Sequence, residues 1–270
     1  MGIALAQSVT GTGNLTLNGV VSGNTLIAEQ SSFRNTATTT AIAVPTDTNG
    51  TFVGSIAGTG ALCAASTGAS IVGVFYAVNA ASGTHTLTFE ANSSNNKTLS
   101  EFSGMATASV LDVSTSSKTD NSDITSQVTG TTGTTAQADE LIIIGLALAT
   151  TVGSSDVTFT NPVSGFTSLN VVPNDLSDIA TFHAYKIVAA TGTQAATFNW
   201  VVHEANMGAH AAIAAFKAAA AGGEAAVGRP IRPRPRLRKS RFKRSTQGDI
   251  TLTVVVNIPS HLYTTMGVGT

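Results

Sequence analysis

Residues 71–91 read IVGVFYAVNAASGTHTLTFEA, and they decide what kind of body this chain builds. The first run is apolar on both faces of an extended strand. Ile71, Gly73, Phe75 and Ala77 line one face, and Val72, Val74, Tyr76 and Val78 the other. Such a strand belongs in the middle of a sheet that is covered above and below. The second run alternates, with His85, Leu87 and Phe89 opposite Thr84, Thr86, Thr88 and Glu90, so it reads as half-buried. Between them, Ala81-Ser82-Gly83-Thr84 reads as a hairpin loop in which Gly83 is free to take a positive φ. No chemistry is written in this stretch.

Working outward, residues 141–149, LIIIGLALA, form a second run apolar on both faces. Consecutive β-branched isoleucines and Gly145 favour strand over helix there. Shorter strands are expected near residues 14–21, 26–28, 40–44, 51–53, 108–113, 157–160, 166–172, 180–189 and 195–202. Residues 209–217, AHAAIAAFK, favour a strand, with a helix as the rival at the Ala-rich end. Residues 114–137 are almost wholly Ser, Thr, Gly, Asp and Asn and read as a long exposed connection, with a weak strand at 124–128. No internal repeat stands out. The spacing predicts an all-β fold: an antiparallel β-sandwich, jelly-roll-like, with an extended C-terminal arm. Its parts are a body over residues 1–221, a Gly/Pro/Arg-rich basic linker arm over 222–248 and a terminal strand and tail over 249–270.

Charged residues are 11% of the chain, against about 25% for an ordinary soluble domain. Hydrophobic residues at 42% argue against disorder. A lone Cys63 excludes an internal disulfide framework and reads as a small buried apolar residue. Residues 1–7 lack the basic start of a signal peptide, and the longest apolar run is too short to cross a bilayer as a helix. Charge is split along the chain. Residues 1–228 hold five basic and fourteen acidic residues, for −9, while residues 229–270 hold nine basic and one acidic, for +8.

Candidate chemistry is thin. His203 and His210 flank Glu204, but without the HExxH spacing on a helix a structural role is expected. Ser177, Asp178 and His183 form a nucleophilic set only on paper, since no GxSxG elbow supports them. Glu90 and Glu101 read as edge carboxylates rather than a glycosidase pair. Asp47, Asn49 and residues 120–123 offer oxygen ligands without the spacing of a calcium loop. Trp200 and Phe198 read as core rather than as a sugar platform. No enzyme activity, no cofactor, no metal and no catalytic residue is expected.

The tail carries the one functional signal. Arg229, Arg232, Arg234, Arg236, Arg238, Lys239, Arg241, Lys243 and Arg244 crowd into a segment whose three prolines forbid a helix. Nucleic acid is one partner that would neutralise them. An acidic protein surface, including a neighbouring copy of the body, is another. Thr253, Val254, Val255 and Val256 lie in a strand-forming run suited to addition at a sheet edge.

The ordered segments TDTNGTF (46–52), VFYAVNAASGTHTLTF (74–89), LSEFSGM (99–105), ADELIIIGLAL (138–148), SGF (164–166) and AYKIVAATGTQAATFNW (184–200) through AAIAAFK (211–217) carry a resemblance. Together they resemble β-sandwich domains of uncharacterised tailed-phage and bacterial surface proteins. Asn49-Gly50 reverses the Gly-Asn order of those domains, so no role is carried onto that loop. The resemblance implies a structural or binding module in a virion, such as a capsid decoration or head-fibre subunit, that forms homo-oligomers and contacts other virion proteins. The alternative it implies is a carbohydrate-binding or adhesin module at a tail or cell surface, engaging a glycan through residues 92–96 and 114–137. No membrane partner is expected.

Overall fold

A computed structural model describes residues 2–34, 36, 39–56, 60–63, 68–91, 94–149, 157–160, 163–172, 179–201 and 206–220. All of them lie in one compact unit, Met1–Glu224. They form β1 (Ala4–Gly11), β2 (Leu15–Val20), β3 (Thr25–Arg34), β4 (Thr46–Asp47), β5 (Val53–Gly54), β6 (Ala61–Cys63), β7 (Gly68–Ala77), β8 (Gly83–Thr88) and β9 (Ser94–Ser103). Then follow β10 (Leu111–Ser122), β11 (Ser126–Val128), β12 (Glu140–Ala149), β13 (Thr158–Phe159), β14 (Thr167–Val172), β15 (Ile179–Val188), β16 (Thr197–Val201) and β17 (Met207–Phe216). The fold is all-β, built from antiparallel sheets.

The strands form the same sandwich twice. In the first, a large sheet runs β1-β9-β3-β7-β5 and a small one β2-β8-β4; in the second the orders are β10-β17-β12-β15-β14 and β11-β16-β13. Among the described residues only β6, an extra strand beside β7, has no counterpart. First, eighth, third and sixth strands side by side, facing the second, seventh and fourth, is jelly-roll-like wiring. Its departure is that the fifth strand pairs with the sixth. Registers repeat as well. Tyr76 faces Ile27 and Val53 as Tyr185 faces Ile143 and Thr167. Phe102 faces Leu5 as Phe216 faces Leu111, and the bulge after Leu5 recurs after Leu111.

This duplication is a correction to the sequence reading, and one stretch of sequence does record it. Residues 76–89, YAVNAASGTHTLTF, and 185–198, YKIVAATGTQAATF, match at seven of fourteen positions. The turn between β7 and β8 is also corrected: it carries Gly83 at φ 121° but joins strands of different sheets, so it is a sandwich corner and not a hairpin. Residues 114–137 are corrected too. The first part of that polar run, residues 114–122, belongs to β10, an edge strand wet on one side, and residues 126–128 form β11.

Alternation places the layers. On β12, Ile142, Ile144, Leu146 and Leu148 pack under the second small sheet with Phe198 and Trp200. Leu141, Ile143 and Ala147 point the other way, into the first sandwich. On β7, Ile71, Phe75 and Ala77 face the first small sheet, while Val72 and Val74 face the second sandwich. The two large sheets therefore lie back to back, covered on both sides, which is why β3, β7, β12 and β17 are buried almost throughout. Each fully buried Leu, Ile or Phe here contributes about 1.5–3 kcal/mol. The contact is isologous, like that of a two-fold dimer: Tyr76 meets Phe216, and the equivalent Tyr185 meets the equivalent Phe102. Small residues set its closeness. A β-carbon on Gly145 would stand 2.7 Å from Val72 Cγ2, and one on Gly208 would strike the Leu62 carbonyl.

Candidate functional site

The basic arm residues Arg229 to Arg244, the strand-addition residues Thr253 to Val256 and the whole of 221–270 lie outside the described residues. So do Ser177, Asp178, His203 and Glu204, and residues 92–93 of the proposed glycan loop. What the body itself offers is a set of polar side chains at defined places in the two sandwiches.

The described histidines are all tied down. His183 is fully buried between the large sheets, with Nε2 2.8 Å from Ser31 Oγ and Nδ1 2.8 Å from Thr98 Oγ1. Burial holds its pKa down to about 3, so the ring is neutral, donating at one nitrogen and accepting at the other. His210 accepts from Val72 N–H at 3.0 Å, filling the gap on β7 between the short strands β5 and β6. Burial and then the Lys118 charge lower its pKa to about 4. His85 contacts Asp47 Oδ2 at 2.6 Å, both side chains wholly buried, and its Nε2 donates to Ala81 O at 2.9 Å. With that nitrogen occupied, the pair has no free edge to offer a substrate.

The carboxylates are structural pins. Glu101 accepts from Gln7 Nε2 at 2.6 Å, Val21 N–H at 2.8 Å and Asn24 Nδ2 at 2.6 Å, fastening β1 and the β2–β3 turn to β9. Glu90 takes Arg34 at 2.7 Å and Ala43 N–H at 2.6 Å. The two share no partner and form no acid–base couple. Asp47 belongs to His85, Asp120 accepts from Leu62 N–H and Lys118, and Asp123 accepts from Asn206 N–H. Among the described residues no group of three or more His, Cys, Asp or Glu could hold a metal ion. Phe198 and Trp200 are core, with Trp200 Nε1 donating to Ile124 O at 3.0 Å. Cys63 is buried and free.

Two polar features were not legible in the sequence. The first lies on the pseudo-two-fold axis. Glu29 and Gly145 are equivalent positions, Glu29 facing Val74 and Thr98 as Gly145 faces His183 and Ala212. A β-carbon on Gly145 would sit 3.5 Å from Glu29 Oε1, so the glycine makes room for the carboxyl. Burial raises the Glu29 pKa well above its ordinary value. With Asp47, Glu101 and Glu140 it places four of the body's carboxyls inside, so the outward charge is smaller than the formal −9.

The second feature is at the start of β10. Lys217 Nζ lies 3.5 Å from Asp112 Oδ1, with the Asp112 side chain 8% exposed. Asp112 Oδ2 accepts from Ala136 N–H. Glu140 is fully buried next to them. Its pKa is raised to about 7, first by burial, then by the Asp112 charge and a hydrogen bond with Asp112. A shallow groove lined by Gly2, Gln137, Asp139 and Ala218 opens beside this cluster.

No protein-family model, curated protein or solved structure matches the chain.

Proposed function

We propose that this chain is a structural subunit of a phage virion, such as a capsid decoration or head-fibre element, that assembles with copies of itself and anchors through its basic C-terminal arm. The observation that carries the reading is the doubled jelly-roll-like body, an architecture that recurs in viral capsid and lectin domains. Its buried ionisable groups hold strands together, as Glu101 does, and its surface is poor in charge. The arm supplies what the body lacks, nine cations within sixteen residues of chain, 229–244.

Deleting residues 223–270 tests this. The truncated body is expected to keep its thermal transition and to lose incorporation into particles or self-association. Normal incorporation would overturn the anchoring role. If the arm's partner is nucleic acid, binding falls steeply with salt and shows little sequence preference.

The second reading, a glycan-binding module, is favoured by the outer face of β2-β8-β4. Thr16 and Thr84 stand there exposed and Thr86 half-buried, Thr16 and Thr86 hydrogen-bonded at 3.0 Å and Thr84 donating to Asn18 at 3.1 Å. A glycan array separates the two readings.

A further inference from the structure

We propose that Lys217 and Asp112 condense into an intramolecular amide, a self-made cross-link between the first and last strands of the second sandwich. Asp112 is the extra residue of the β10 bulge, lying between Leu111 and Val113, which face Phe216 and Ala215. A bulge turns its side chain away from the regular pleat and bends the strand. Lys217 follows β17 directly. Its N–H donates to Val110 O at 2.7 Å and its carbonyl accepts from Ala106 N–H at 2.9 Å, so its backbone is held on both sides. The amine is thereby delivered to the carboxyl at 3.5 Å. Reactants fixed side by side in a folded chain react far faster than the same groups free in water.

The surroundings supply the rest of the chemistry. Ala136 N–H on Asp112 Oδ2 is placed to stabilise the negative charge that gathers there when the carboxyl carbon turns tetrahedral. Glu140 keeps its proton up to about neutral pH, so it can both give and take a proton at the Asp112 oxygens. Burial of Glu140 and Asp112 limits water, the competitor that would reverse the bond.

The step balances without any other reagent. The Lys217 ammonium passes one proton to Asp112 Oδ1, and the freed lone pair forms the bond from Nζ to Cγ. A second amine proton travels through Glu140 to the same oxygen, the Cγ–Oδ1 bond breaks, and Oδ1 leaves as water. Ammonium and carboxylate become amide and water.

The first sandwich shows that the fold does not require these three side chains. The positions equivalent to Asp112, Lys217 and Glu140 are Ala6, Ser103 and Asn24. An acid, an amine and a proton-holding carboxyl therefore occur together in one copy only, where the other copy carries small or neutral residues.

Intact-mass measurement of the purified full-length chain tests the proposal. The expected mass is one water below that of the sequence, with a branched tryptic peptide joining the Asp112 and Lys217 segments. Lys217→Arg and Asp112→Ala are expected at full mass, and Glu140→Gln is expected to form the bond at least tenfold more slowly. A folded wild-type chain that stays at full mass through days of incubation between pH 6 and 8 would overturn the proposal. So would a water loss without the branched peptide, as an aspartyl succinimide would give.

Discussion

The Tyr76 ring meets the Phe216 ring edge to face, centroids 5.5 Å apart and planes at 69°. Its image across the pseudo-two-fold, Tyr185 against Phe102, stands at 5.3 Å and 71°. Edge-to-face pairs contribute about 0.5–1.5 kcal/mol beyond the area they bury. Double-mutant cycles to Leu, measured by urea unfolding, are therefore expected to return couplings of that size, equal for the two pairs. A coupling in one pair and none in the other would refute the symmetric contact.

Gly145→Ala is expected to cost about 1–3 kcal/mol, the usual penalty for forcing a methyl into a filled core. The new β-carbon would press on Val72 Cγ2 at 2.7 Å. Pairing the change with Val72→Ala removes that atom, so the double variant is expected to lose less than the sum of the singles. Additive losses would place the strain elsewhere.

Acid is expected to destabilise the body through His183 and His210. Unfolded, each imidazole protonates near pH 6.5; folded, His183 resists to about 3 and His210 to about 4. Between those limits the unfolded chain binds more protons, so stability falls as pH falls, by up to about 1.4 kcal/mol per pH unit for each ring. Thermal melts from pH 7 down to 4 read this directly. His183→Gln is expected to flatten the slope by one ring's share, and an unchanged slope would exclude His183 as a source.

Residues 129–135, TGTTGTT, form a ladder in which every third residue is a threonine whose side chain replaces a main-chain partner. Thr129, Thr132 and Thr135 N–H groups donate to the carbonyls of Ala196, Gln194 and Gly192. Their Oγ1 atoms accept the N–H groups of the same three residues, at 3.1, 2.9 and 3.1 Å. Thr132→Val is expected to cost about 1 kcal/mol by taking its partner from the half-buried Gln194 N–H. Thr131→Val, at an exposed position, is expected to change little in the same urea titration.

The sequence announces strands wherever apolar residues alternate, and the two faces assigned to residues 71–78 are the two faces that β7 buries. Its reading falters where polar side chains do the work of the backbone. The threonine ladder looks like linker because its period is three, and β10 looks like a loop because one of its edges is wet. The duplication hides because most of the equivalent core positions changed identity while keeping register. Serine at position 100 and alanine at 214, for example, occupy the same place beside Ile27 and Ile143. The Lys217–Asp112–Glu140 cluster draws on three separate segments, 105 positions from first to last, which meet because β10 and β12 flank the end of β17.

Fusion of the two sandwiches into one chain changes what the centre of the molecule is allowed to contain. Two separate identical subunits would set each axial residue against itself, so a carboxyl at position 29 would confront a second carboxyl in a dry interior. Joined copies escape that constraint: one keeps the acid, the other yields space with a glycine. They also stay together however dilute the protein becomes.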